Sequence, residues 1–212
     1  MTFSQILLTL KSSLEKGLPG AAAHAHLAPI PRRQWPGGIN PARIRNAAGL
    51  LLLFPVDEHA HIVLTQRADT LERHRGQISL PGGVVESGET FERAALREAH
   101  EEIALPLDGV RVIGGLTPID IPVSGFRLHP VVAAIARRPP LHPADGEVAR
   151  ILDVPVDELL HPATIAITVR QRDGVDMRVP AFRIGDAEIW GATAMVIAEF
   201  LALLGWPGPS AA

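Results

Sequence analysis

The run Ala47–Val56, AAGLLLLFPV, most constrains what this chain can fold into. A helix needs about 20 apolar residues to cross a bilayer, so this run is too short to do so. A short apolar stretch closed by Pro55 and an acidic pair reads instead as a buried strand. After Asp57-Glu58 the segment His61–Arg67 alternates in polarity, so the two segments read as a hairpin. Gly76–Val85 carries a Pro81-Gly82-Gly83 break. Thr90–Ile103 has helical periodicity through Phe91, Ala94, Ala95, Leu96 and Ala99, with Thr90 as its N-cap.

Strands are expected at Val110–Leu116, His129–Ala136 and Glu147–Val154, and a helical turn at Val156–Leu160. A late hairpin is expected from Ile165–Arg170 and Met177–Ile184 around Asp173-Gly174, then an apolar helix over Thr193–Leu204. Residues 2–16 form an amphipathic helix with Ile6, Leu7, Leu10 and Leu14 on one side. Residues 17–46, with Pro19, Pro29, Pro31, Pro36 and Pro41, read as an arm or covering loop outside the core. The chain divides into an N-terminal helix and arm (1–42), one mixed α/β (α+β) domain (43–206) and a short tail (207–212).

Composition excludes several classes. With 47% hydrophobic and 20% charged residues the chain is not disordered. A net charge of −3 argues against nucleic acid or an anionic membrane as partner. Six Phe, three Trp and no Tyr are too few for a base-stacking platform. Without cysteine there is no disulfide, thiolate zinc site or cysteine nucleophile. The N-terminus lacks a basic n-region and carries Lys11 and Glu15, so a cytoplasmic location is expected.

The chemistry is concentrated between Gly82 and Glu102. On the helix, Glu98, Glu101 and Glu102 project from one side, because positions three and four apart are neighbours. Three like charges there are costly unless compensated, and a hard divalent cation such as Mg²⁺ or Mn²⁺ compensates them; a solvated acidic face is the alternative. Read onward from Gly83, the pattern is G(x5)E(x7)REUxEE, with Gly83, Glu89, Arg97, Glu98, Glu101 and Glu102 in register and Ala99 at the aliphatic position. It resembles the Nudix hydrolase signature, G(x5)E(x7)REUxEExGU. Only the final Gly departs, replaced by Ala104, and the helix is expected to run on toward Pro106.

That resemblance implies an α/β/α sandwich with a mixed sheet and an enzyme that hydrolyses a diphosphate linked to another moiety. It implies Glu98 and Glu102 as principal metal ligands, Glu101 assisting and a carbonyl of Gly82 or Gly83 completing the shell, with Glu89 paired to Arg97. Upstream, Leu64-Thr65-Gln66-Arg67-Ala68, Gly76-Gln77 and Leu80-Pro81-Gly82-Gly83 resemble the additional motif of the coenzyme A pyrophosphatase branch. Pro122–Phe126, His129–Val132 and Ile189–Ala194 resemble the same branch. Glu72 stands where that motif has Arg, with Arg73 and Arg75 nearby, and Leu80 replaces Phe. The resemblance implies cleavage of coenzyme A or a derivative to 3′,5′-ADP and 4′-phosphopantetheine, with ADP-ribose or a similar nucleotide as the alternative substrate and a non-catalytic nucleotide sensor as the other reading.

Arg67, Gly76, Gln77 and Gly83 are the candidate substrate-binding residues. Arg67 is read either as a clamp on a phosphate or as paired with Glu86 or Asp69. Glu147, after the Pro-rich stretch, is a candidate general base or a surface carboxylate. His74 reads as a loop residue, His24 and His26 as an HxH pair without function, and Trp190-Gly191 as core or helix-capping. A homodimer, with helix 2–16 covering or exchanged with the partner, is compatible with the fold.

Overall fold

The structure, a computed structural model, describes residues 1–68, 76–172 and 174–209. Glu72, Arg73, His74, Arg75, Asp69 and Asp173 lie outside the described residues. The chain begins with α1 (Phe3–Lys16), where Thr2 and Gln5 form a reciprocal capping box, and a short α2 (Ala21–Ala25). Then come β1 (Arg45–Val56), β2 (His59–Arg67), β3 (Ile78–Ser79), β4 (Gly82–Val84) and α3 (Phe91–Ile103). The second half runs β5 (Arg111–Gly115), β6 (Ile119–Ile121), β7 (Phe126–Ala134), β8 (Val148–Pro155), α4 (Val156–Leu160), β9 (Ile165–Arg172), β10 (Val175–Ile184), β11 (Ala187–Trp190) and α5 (Gly191–Leu203). The expected elements are present; α2, β3, β4, β6 and β11, each of five residues or fewer, are additional.

The main sheet is mixed. β1 pairs in parallel with β7 and antiparallel with β2. Asp57 and Glu58 at the hairpin both adopt positive φ (46° and 67°), the two-residue turn whose twist suits paired strands. β1 is buried on both faces, which is why its sequence is a continuous apolar run and not an alternating one. Leu51 and Leu53 enter one core with α1, α5 and the small sheet β9–β10–β11. Leu50, Leu52 and Phe54 enter the other, against Ala94, Ala95 and Ala99 of α3. Each such side chain contributes about 1.5–3 kcal/mol by burial. The result is the α/β/α layering the resemblance implied.

Two departures bear on the site. β1 and β2 part company: β2 pairs with β1 at Leu53–Val56, whereas Ala47–Gly49 of β1 pair with β4. The Leu80–Gly82 segment enters this gap, and Leu50 N–H donates to the Pro81 carbonyl at 2.8 Å. Second, residues 17–46 are not merely a covering loop. Ala23, His24, Leu27 and Ala28 are buried, and Ile30 exchanges two backbone hydrogen bonds with Arg178 of β10 (2.9 and 2.8 Å). The helix α1 lies on its own chain's β2 and α5.

The HxH pair is divided. His24 Nε2 lies 2.9 Å from a carboxylate oxygen of Glu199, while His26 packs edge-on to Trp206. The expected continuation of α3 to Pro106 does not occur. The helix ends at Ile103, and Ala104 takes the left-handed conformation (φ 53°, ψ 35°). Burial of Ile103 and Leu105 forces this turn, and the end is closed by Leu105 N–H to Ala99 and by backbone N–H groups of His142 and Ala144 to Ile103 and Glu102. Ala104 therefore performs the glycine's role at a steric cost of roughly 1–2 kcal/mol.

Candidate active site

The site lies where β4 leads into the loop before α3. Gly82 and Gly83 are required there by space. A Cβ on Gly82 would collide with the Ala48 carbonyl oxygen, and one on Gly83 would collide with the Glu98 carboxylate. The bare backbone lets the helix bring its carboxylates against the strand. Glu102, 8% exposed, accepts a hydrogen bond from Gly82 N–H at 3.1 Å.

Arg97 organises the rest. Its Nε and Nη2 donate to the two oxygens of Glu89 (3.0 and 3.1 Å), and Nη2 also donates to the Val84 carbonyl (3.0 Å). Its Nη1 donates to Glu98 (2.9 Å) and to Glu101 (3.0 Å). Glu89 in turn accepts from Glu86 N–H, so loop and helix are clamped together. The hydrogen bond from Arg97 holds the Glu89 carboxyl below its usual range, and that from Glu89 raises the Arg97 guanidinium.

The inner carboxylates behave oppositely. Burial raises Glu98, with Arg97 opposing it. Burial pushes Glu102 up to about 7; the Gly82 hydrogen bond opposes this, while Asp145 and Glu98 push the same way. The cluster is thus short of positive charge. Among the described residues no three acidic or histidine side chains converge as a closed cage, since Arg97 draws Glu98 and Glu101 to itself. The donors nevertheless fit a hard cation: all are carboxylate or carbonyl oxygens, and the missing side chain of Gly83 lets the Glu98 carboxylate lie directly against the strand.

A cavity of about 620 Å³ opens beside this cluster. Its lining includes Arg67, Gln77, Gly82 and Gly83, together with Leu80, Ile119, Phe126, Leu128 and Met195. Gly76 lies outside it and lines a smaller neighbouring cavity, of which Gln77 is a shared wall. Arg67 Nη2 donates to Glu147 at 2.9 Å, at the bulge where β2 meets β8, a partner not expected from the sequence; of the two expected, Asp69 lies outside the described residues. Its Nε is buried without a hydrogen-bond partner among the described residues. Trp190 caps the start of α5 and lines the cavity, with Arg170 over its ring. Sequence reasoning missed Asp145, which acts on Glu102 from a Pro-rich loop, and the arm residues Arg32 and Arg33 on the cavity rim. No motif marks either.

The NUDIX domain family matches residues 43–171. A relative named uncharacterized Nudix hydrolase NudL, from Enterobacter sp. (strain 638), is 38% identical over 167 residues, spanning 76% of this chain and 84% of that one. A protein of the same name from Pectobacterium atrosepticum is 33% identical over 165 residues, 77% of this chain and 85% of that one. The fold matches the crystal structure of a Nudix hydrolase from M. smegmatis, RenU, with a TM-score of 0.56 at 21% identity, over 88% of this chain and 98% of that chain. No helix among the described residues is long and apolar enough to cross a membrane. The chain belongs to the Nudix hydrolase family and is a pyrophosphohydrolase acting on nucleoside diphosphate derivatives.

Proposed function

We propose that the substrate is coenzyme A or a derivative, cleaved at the diphosphate to 3′,5′-ADP and 4′-phosphopantetheine or its acyl form. The observation that carries this reading is the mixed lining of the cavity. Gly83 and Arg67 line it together with the apolar side chains of Ile119, Phe126, Leu128 and Met195. Such a lining suits a long, uncharged arm on one side of a diphosphate.

Nudix enzymes use divalent metals such as Mg²⁺ or Mn²⁺. Here Glu98 and Glu102 would hold the ion, with Glu101 and the Gly82 carbonyl assisting. When bound, the metal supplies charge neutralisation and an activated water. The chain's own groups do the positioning. Arg97 and Glu89 lock the glutamates in place. Arg67 lines the cavity and would offer its guanidinium to a diphosphate oxygen, and Glu147 fixes that guanidinium. We assign Glu147 this holding role in preference to that of general base, because its carboxylate is already committed to an ion pair. Water adds to one phosphorus, the bridging P–O bond breaks, and each product keeps one phosphate of the diphosphate.

The test is turnover of coenzyme A, dephospho-coenzyme A and ADP-ribose by one preparation under matched Mg²⁺ and ionic strength. Coenzyme A should have the highest kcat/KM. If ADP-ribose leads, the coenzyme A assignment fails and the Nudix chemistry stands.

A further inference from the structure

One glycine shows how the floor of the cavity is built. Gly49, inside the apolar run of β1, does not adopt the left-handed backbone that favours glycine. What it provides is space: a Cβ there would meet Leu128 Cδ1 at 3.3 Å and Leu80 Cβ at 3.5 Å. The bare backbone lets these two leucines close over β1, and both line the cavity. Ile119 continues the surface, because it is the register partner of Leu128. The floor starts beside the carboxylate cluster, since Gly49 pairs with Gly82, whose N–H binds Glu102. It reaches β6 three strand spacings away, about 14 Å.

The helix α5 is fastened across this floor at two points. Thr193 Oγ1 donates to the Ile78 carbonyl at 3.2 Å, two residues before Leu80. Glu199, fully buried, accepts from Thr117 N–H and Thr117 Oγ1 (3.0 and 2.6 Å), two residues before Ile119. Met195 lies one turn before Glu199 on the same side of the helix, so it sits over the floor between Leu80 and Ile119. It lines the cavity and packs in one apolar cluster with both. Glu199 also accepts from Gly20 N–H at 3.0 Å, which ties the N-terminal arm to the same helix. The floor belongs to the family-matched segment, whereas Met195 lies outside residues 43–171.

We propose that Met195 is a specificity-determining residue: with Leu128 beneath it, it grips a flexible, uncharged chain attached to the diphosphate and so selects the non-nucleotide half of the substrate. The surface is aliphatic, which suits such a chain better than a flat base, whose usual partner is an aromatic face. The two aromatic rings among the described lining residues, Phe126 and Trp190, each carry an arginine over one face, Arg45 and Arg170 at 4.0 and 4.3 Å. An unbranched thioether side chain adapts to a chain of variable shape. This deepens the coenzyme A reading and rests on it for the identity of the chain, the pantetheine arm.

The test compares dephospho-coenzyme A and ADP-ribose, which share ADP and differ in what the second phosphate carries, on the full chain with Mg²⁺. Met195→Ala should raise KM for dephospho-coenzyme A about tenfold, with its kcat and the KM for ADP-ribose each changed less than about twofold. Met195→Leu, which keeps the volume, should restore KM. Leu128→Ala, at a half-buried side chain, should show the same split and carries the test if thermal unfolding shows that Met195→Ala does not fold. Titration calorimetry without metal gives a readout independent of turnover: Met195→Ala should weaken 4′-phosphopantetheine about tenfold and AMP less than about twofold. Equal effects on both substrates, loss of AMP binding in place of phosphopantetheine binding, or no effect in either variant overturns the proposal. If wild type prefers ADP-ribose to coenzyme A but Met195→Ala still loses phosphopantetheine selectively, the coenzyme A reading fails and the apolar site stands. If coenzyme A leads and both variants leave its KM unchanged, the site fails and that reading stands.

Discussion

Two buried glutamates, Glu102 and Glu199, differ in what surrounds them and so in what they do. Glu199 is fully buried on α5 and accepts three hydrogen bonds besides its contact with His24. Burial opposes its charge, but those bonds outweigh it and hold its carboxyl below the usual range. Glu102 accepts from Gly82 N–H and faces Glu98 and Asp145, so burial carries its carboxyl up to about 7. A satisfied buried charge fastens structure; an under-satisfied one awaits a cation. Burial alone would have classed the two together.

The largest expected effect separates them by activity. Glu98→Gln and Glu102→Gln should each keep the fold and lower kcat/KM by roughly a thousandfold or more, through loss of a metal ligand. Steady-state turnover at saturating Mg²⁺ checks this, and near-wild-type rates in both would overturn the metal assignment. Glu199→Ala should act on stability instead. It removes the acceptor of a buried network and should cost about 3–5 kcal/mol by urea unfolding. A cost below about 1 kcal/mol would show that the network fastens nothing.

The pH dependence sharpens the contrast because the two signs are opposite. The folded-state pKa of Glu102 is raised, so it costs nothing below the unfolded value of 4.5, and metal-free stability falls as pH rises from there to about 7. The loss is on the order of 3 kcal/mol. Glu102→Gln should remove that slope, and Mg²⁺ should flatten it. The folded-state pKa of Glu199 is depressed, so its contribution is present above 4.5 and is lost as pH falls through its folded value. Unfolding measured against pH in chelator, for wild type, Glu102→Gln and Glu199→Gln, tests the pair; a single common slope would abolish the distinction.

The smallest effect lies at the end of the catalytic helix. Ala104→Gly should relieve the left-handed strain while adding freedom to the unfolded chain, for a net gain of about 0.5 kcal/mol. A loss would mean that the turn is not strained at Ala104.

The helix, its Thr90 cap and the three glutamates were legible because their pattern is local: 3.6-residue periodicity and fixed spacing put Glu98, Glu101 and Glu102 on one side without reference to the rest of the chain. The clamp of Glu89 on Arg97 was legible for the same reason, both ends lying within one loop and helix. The left-handed Ala104 was not, because a helix stop at alanine is set by burial of Leu105 and by the His142–Ala144 loop, elements remote in sequence.

By itself the sequence determined the strand–turn–strand at 45–67, the carboxylate helix, the layered α/β class and the family, all carried by short-range patterns. Tertiary structure alone decided which partners the long-range charges take. Arg67 meets Glu147, eighty positions on, and His24 meets Glu199. The arm, which reads as a loose Pro-rich loop, becomes a wall of the cavity. The physical reason is that a charge's partner is chosen by which elements pack together, and packing joins residues that no spacing rule connects.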